Sequence, residues 1–401
     1  MTARMSFSTV PRVDVPSAAA SRPVRQARRG TAPVPPAARR GFPVRPLAAA
    51  LALGFAVPAA HALPQGAQVV RGSAQISQQG SHLQVTNTPG AVIHWQSFGI
   101  GAGQSVYFQQ QNARSAVLNR VVGGSPSEIL GTLGSNGRVF LINGAGIVFG
   151  KGAVIDTAGF TASTLNISDA DWKAGRVRLQ AEGVPGGIAI TDVVQVHGDV
   201  YLVAPQITNT GAVKVENGHA VLAAGQSVAI TGRGLEGIQL EVVNPGDQVL
   251  NLGSIEAGAV GLFAGTLKHS GAVQANALET VDGKVWLKAH DGVEVSGQAT
   301  ARQGSLGGEI VVTGADTRVT ASARLDASGA RGGGAVYVGG GWQGQDPAID
   351  NARTTRVEQG AQVRADAIEV GDGGTVVVWS DGQTSTLGHL SARGGAQAPV
   401  R

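Results

Sequence analysis

Enzymes need acids, bases, nucleophiles or metal ligands at set spacings, and few such sets occur in this 401-residue chain. The eight His are scattered, and no two of them stand at metal-ligand spacing. His82, His94, His197, His219, His269 and His290 fall in or beside strand-like runs, so they read as solvated or internally bonded side chains. There is no Gly-x-Ser-x-Gly elbow, His-Glu-x-x-His pair, Walker loop or EF-hand loop. Acids recur at Asp282-Gly283, Asp291-Gly292, Asp372-Gly373 and Asp381-Gly382, where Asp-Gly is ordinary turn chemistry. A polysaccharide-cleaving enzyme would need several such acids converging on one face, and a linear sequence does not show convergence. The Gly144-Ala145-Gly146 and Gly123-Gly124 corners lack the following helix that a phosphate loop requires. No catalytic, cofactor or metal residue is expected. The polar element of most interest is Asn143, where Asn suits a turn that bonds its own backbone.

What must position these residues is a set of short strands. Residues 116–167 hold the runs Val139-Phe140-Leu141-Ile142, Ile147-Val148-Phe149 and Ala153-Val154-Ile155, with Gly-rich corners between them. Strands this short, broken by residues that tolerate positive φ, suit a coil that turns after each strand and stacks on the next. Sixty Gly and few aromatics fit the same architecture. Farther on, Gly198-Asp199-Val200-Tyr201-Leu202-Val203-Ala204 and Gly258-Ala259-Val260-Gly261-Leu262-Phe263-Ala264 repeat in register. The related piece at Gly218 sets a step of 20, so an offset of 60 predicts three coils of about 20 residues. The Gly332-Gly333-Gly334 run marks a soft boundary, with coil-like sequence continuing beyond it.

The basic balance of the whole chain belongs to its beginning. Residues 1–62 carry nine Arg, no Lys and one Asp, a net +8 against +4 for the chain, so the remainder carries −4. That remainder lacks the electrostatic footprint of a nucleic-acid binder. The apolar run Leu47–Val57 follows Arg39, Arg40 and Arg45 and ends at Ala60-His61-Ala62, a small-x-small cleavage pattern. It reads as an extended signal peptide cut after Ala62 and too short to span a membrane, leaving no integral membrane segment in the mature chain. Arg39-Arg40-Gly41-Phe42 also resembles a twin-arginine signal, so the export route stays open. With no Cys, the chain has no disulfide to hinder passage through a pore in extended form.

One ordered set of residues goes further. Val117-Leu118-Asn119-Arg120-Val121, Pro126-Ser127, Ile129-Leu130-Gly131, Asn136 through Asn143, Gly146 through Gly150 and Ala162 through Leu165 resemble the haemagglutination-activity, or two-partner secretion, domain of filamentous-haemagglutinin-like exoproteins. The resemblance covers nearly all of residues 63–395. It implies an all-β, right-handed parallel β-helix (a β-solenoid) with an N-terminal cap and extra-helical hairpins. It implies a secretion domain over 63–310, and over 311–401 continuing repeats that begin an adhesin rod. The expected partner is a cognate outer-membrane β-barrel transporter with periplasmic POTRA-type domains, and the product is secreted or surface-held after passing the periplasm. An adhesin or haemagglutinin role, with host-cell glycan or matrix as ligand, belongs to the same resemblance. A carbohydrate-active β-helix enzyme and the stem of a contact-dependent toxin are the alternatives. In the family, Asn143-Gly144-Ala145-Gly146-Ile147 usually reads Asn-Pro-Asn-Gly-Ile and is implicated in secretion; Asn143, Gly146 and Ile147 match, while Gly144 and Ala145 depart. Asn119, Arg120, Asn143, Gly146 and Ile147 are therefore the expected transporter-recognition residues.

Overall fold

The computed structural model describes residues 63–396 apart from 217, 233 and 278–282. Three parallel sheets wind around one apolar core. Sheet A begins at Ala91–Trp95 and Ala116–Val121, and runs through Asp199–Val203 and His219–Ala223 to Thr375–Val378. Sheet B includes Ser127–Ile129, Ile147–Phe149 and Gln206–Asn209, and ends at Gln383–Thr386. Sheet C runs from His82–Asn87 and Ser105–Gln109 to His389–Ser391. The chain visits A, B and C in turn, so each strand pairs with its counterpart one coil away.

Alternation along each strand puts one residue inside and the next outside. Because the pairing is parallel and in register, like positions stack: Val200, Ala220, Val260, Val285, Ile310 and Val336 form one inward column of sheet A, all buried. The 60-residue offset is therefore two coils, not three. Val200 leads to Ala220 and Ala220 to Val260, because the second step contains an excursion that leaves the helix after His219–Ala223 and returns at Gln248–Asn251. Sheet A is continuous across residue 310, which lies within Glu309–Thr313. The glycine run at 332–334 is likewise a stacked corner rather than a break. A Cβ on Gly334 would lie 2.0 Å from the Gly308 carbonyl oxygen, and one on Gly374 would lie 1.9 Å from that of Gly334.

The first coil is capped. Gln68–Arg71 pairs antiparallel with Ala91–Trp95, Ala74–Gln79 forms a hairpin with His82–Asn87, and Gln65 bridges Ser97 beside sheet B. Backbone groups that would invite edge-to-edge association are thereby covered.

The outer face of sheet A carries a second apolar cluster, including Leu118, Phe140, Tyr201 and Trp286. Excursions cover it. The first holds helix α1 (Asp169–Lys173), whose N-cap Ser168 hydroxyl accepts from the Asp171 N–H. Its strand Val177–Gln180 pairs antiparallel with Ser227–Ile230 of the second excursion, and the two make one four-stranded sheet. The expected hairpins thus take the form of a shared sheet lying over the helix.

A polar ladder crosses the core at the end of sheet B. Asn209 and Asn251 have no exposed surface, and His269 retains 1%. The Gly211 N–H donates to Asn209 Oδ1 at 3.1 Å, and Asn209 Nδ2 donates to Asn251 Oδ1 at 2.8 Å. Asn251 Nδ2 lies 3.0 Å from His269 Nδ1, and His269 Nε2 lies 2.9 Å from the Gln298 carbonyl. A carbonyl only accepts, so Nε2 carries the proton and Nδ1 accepts from Asn251. Burial holds the imidazole below its ordinary value, with the Gln298 carbonyl opposing. The unfolded chain takes up a proton near pH 6.5, whereas the folded ladder has no acceptor for it. Stability is thus complete above 6.5 and falls as pH drops from there toward the depressed folded value, by up to about 1.4 kcal/mol per pH unit. Urea midpoints taken from pH 7.5 to 5 should fall in the native chain and fall less steeply in His269→Asn. Equal slopes would refute this assignment.

Candidate functional site

Asn119 lies on sheet A between Ile93 and Leu141, facing inward in an otherwise apolar column. Its side chain is fully buried. Trp95 Nε1 donates to Asn119 Oδ1 at 2.9 Å, and Asn119 Nδ2 donates to the Phe140 carbonyl at 3.3 Å. The next residue, Arg120, points outward and holds the first excursion. Its guanidinium donates to Asn166 Oδ1 at 3.0 Å, the Ile167 carbonyl at 2.8 Å and Asp169 Oδ1 at 2.9 Å. A fourth contact reaches His94 Nε2 at 3.0 Å. Burial, then the Arg120 charge, hold the His94 imidazole below its usual value, so the ring is neutral and accepts from the guanidinium.

One coil on, Asn143 turns the chain from sheet A to sheet B. It too has no exposed surface. Its Oδ1 accepts from the Ala145 N–H at 2.9 Å, closing the turn expected of Asn here. Its Nδ2 reaches back to the preceding coil, donating to the Ser125 carbonyl at 3.0 Å and Ser127 Oγ at 2.9 Å. Gly146 completes the corner at φ 127°, a conformation closed to other residues without strain. Ile147 then enters sheet B between Ser127 and Ile188, fully buried. Asn119 and Arg120 stack on Leu141 and Ile142, which directly precede Asn143. All five sequence-predicted residues therefore meet at one corner spanning two coils.

The residues that sequence reasoning missed are their partners: Trp95, Ser127, His94 and Asn166. Ser127 already lay inside a matched segment, but only three-dimensional stacking assigns it to Asn143, and Trp95 to Asn119. Removing Arg120 should free the first excursion. Arg120→Ala is expected to cost about 2 kcal/mol and to speed hydrogen exchange at 166–171 while leaving 132–142 protected. Arg120→Lys should rescue little, because one ammonium cannot span four acceptors.

Ala60 and Ala62, the expected cleavage residues, lie outside the described residues. Among the described residues no group of three His, Asp or Glu side chains is placed to hold a metal. Each described carboxyl group with a resolved shift, Asp171, Glu241, Asp316, Glu358 and Asp366, is held below its ordinary value. For four of them the leading cause is a side-chain hydrogen bond; for Asp366 burial opposes the shift, and bonds from Ser391 and Arg393 outweigh it. A glycosidase acid needs the opposite, a carboxyl that keeps its proton.

A model of the TPS secretion domain matches residues 60–386. The chain belongs to the TPS secretion domain family. Its fold is similar to the HMW1 secretion domain from Haemophilus influenzae, at TM-score 0.78 and 32% identity over 83% of this chain and 91% of that one. A filamentous hemagglutinin secretion domain matches more distantly, with TM-score 0.38 and 17% identity. Among curated proteins, a heme/hemopexin-binding protein of Haemophilus influenzae is 31% identical over 260 residues, 59% of this chain and 28% of that protein. A second protein of that name is 30% identical over 268 residues, 56% of this chain and 27% of its own length. The chain thus spans about a quarter of the length of the curated relatives it matches. TPS membership implies a secreted or surface exoprotein, exported by an outer-membrane partner transporter.

Proposed function

We propose that the corner built by Asn119, Arg120, Asn143, Gly146 and Ile147 acts twice. In transit it is read, as part of an unfolded N-terminal segment, by POTRA-type periplasmic domains of a cognate outer-membrane barrel. After transit it locks two coils together. The observation that carries this reading is burial: Asn119, Asn143 and Ile147 have no exposed surface in the folded domain, so a partner can touch them only before the coils close. Folding then proceeds coil by coil outside. Each buried Val, Leu or Ile adds about 1.5–3 kcal/mol, a gradient that opposes backsliding without nucleotide hydrolysis.

Downstream, the product is an adhesin without enzymatic activity, presenting a β-helical rod toward host-cell glycan or matrix. The test is deletion of residues 63–167 with the cognate barrel co-expressed. Loss of the protein from culture supernatant is expected; undiminished secretion would defeat the proposal. Purified residues 63–401 in a cell-adherence assay separate a bare secretion module, which should not bind, from an adhesive one.

A further inference from the structure

The covering of sheet A has a gap. Between the second excursion and the segment 339–353 lies a cavity of about 410 Å³. Its walls are mostly apolar, with Leu235, Leu240, Phe263 and Trp286 among them, and Lys288, Glu236, His290 and Asp350 also line it. Leu235, Phe263 and Trp286 belong to the cluster on the outer face of sheet A, so this wall is part of a packed layer rather than a loose loop.

Lys288 is held but underused. Its ammonium lies 4.0 Å from the Trp286 ring centroid and donates to the Ala348 carbonyl at 3.0 Å. The ring is itself fixed, since Trp286 Nε1 donates to Glu309 Oε1 at 2.8 Å. An ammonium has three donors, and among the described residues Ala348 supplies one hydrogen-bond acceptor. Burial is the main influence on this amine and holds it below its ordinary value, while Asp350, Glu309, Glu236 and Asp346 oppose. A cation that is short of acceptors beside an apolar hollow of this size is the pattern of a small-ligand site.

We propose that this cavity binds a small amphipathic monocarboxylate, its carboxylate on Lys288 and its apolar body against Leu240, Phe263 and Trp286. Asp350, Glu309, Glu236 and Asp346 stand around Lys288 and oppose any negative group, so the site takes one carboxylate, held directly on the ammonium, and no second. An amine would meet Lys288 instead. The site lies on the outer face of sheet A in the second half of the chain, apart from the corner at Asn143, so its ligand does not depend on the export proposal.

The probe is 8-anilinonaphthalene-1-sulfonate, an aromatic monoanion, titrated into the full mature chain with fluorescence readout. One saturable site is expected, displaced by decanoate and not by decylamine. Lys288→Met should weaken binding at least tenfold while the chain still unfolds in one cooperative transition, and Lys288→Arg should retain most of the binding. Failure of the probe to saturate, affinity in Lys288→Met within twofold of native, or equal displacement by decylamine would each overturn the proposal.

Discussion

Replacing Gly271 with alanine is expected to destabilise the folded chain by about 3 kcal/mol or more. The cause is the spacing of adjacent coils. At the corner between sheets B and C, Gly211, Gly253, Gly271 and Gly297 stack directly, and a Cβ on Gly271 would lie 1.9 Å from the Gly253 carbonyl oxygen. That atom is backbone, and it cannot rotate away. The Gly271 N–H and the neighbouring Ser270 N–H both donate to the Asn251 carbonyl, so a shift here also strains the Asn251–His269 ladder. Gly304→Ala is the control: its φ is 57° but no atom lies within 4 Å of the added carbon, so the cost should be about 1 kcal/mol. Urea unfolding followed by far-ultraviolet circular dichroism compares the two. Similar midpoints would mean that coil spacing does not constrain this corner.

The second large effect is expected at Asn143. Asn143→Ala leaves the buried Ser127 Oγ and the half-buried Ala145 N–H and Ser125 carbonyl without their partner. A buried orphan costs about 1–3 kcal/mol and a half-buried one less, so a loss of about 2–3 kcal/mol is expected. Asn143→Asp keeps the acceptor for Ala145 but turns a carboxylate oxygen toward the Ser125 carbonyl at a position with no exposed surface, so it should cost at least as much as alanine. If the residue is also read in transit, secretion of Asn143→Ala should fall further than that of an equally destabilised Gly271→Ala. Matched secretion in the two variants would reduce Asn143 to a packing residue.

Much of the fold was legible because a β-helix repeats its rules on every coil. The runs Val139-Phe140-Leu141-Ile142 and Ile147-Val148-Phe149 announce their strands, and the corner at Asn143 behaves as an Asn turn should. The coil count failed where composition is locally similar but topology differs. Residues 227–242 have the apolar alternation of a coil, yet they leave the helix and join Val177–Gln180. No local signal distinguishes the two fates, because the partner strand is about 50 residues away. The site was legible as a list and not as a geometry. Asn119 came from the family resemblance and Asn143 from that resemblance and its turn chemistry, but their burial, and hence the need for any reader to meet them unfolded, follows only from coils above and below.

The most direct measurement exploits the absence of cysteine. Val148 and Ala189 pair across neighbouring coils on sheet B, at the close spacing a disulfide requires. Val148→Cys with Ala189→Cys, expressed beside the cognate barrel, gives a chain whose coils can be tied in the oxidising periplasm. Retention of the cross-linked chain in the periplasm, with release restored by reductant, is the outcome expected of a chain that crosses unfolded and winds outside. Cross-linked protein reaching the supernatant as readily as the native chain would contradict it.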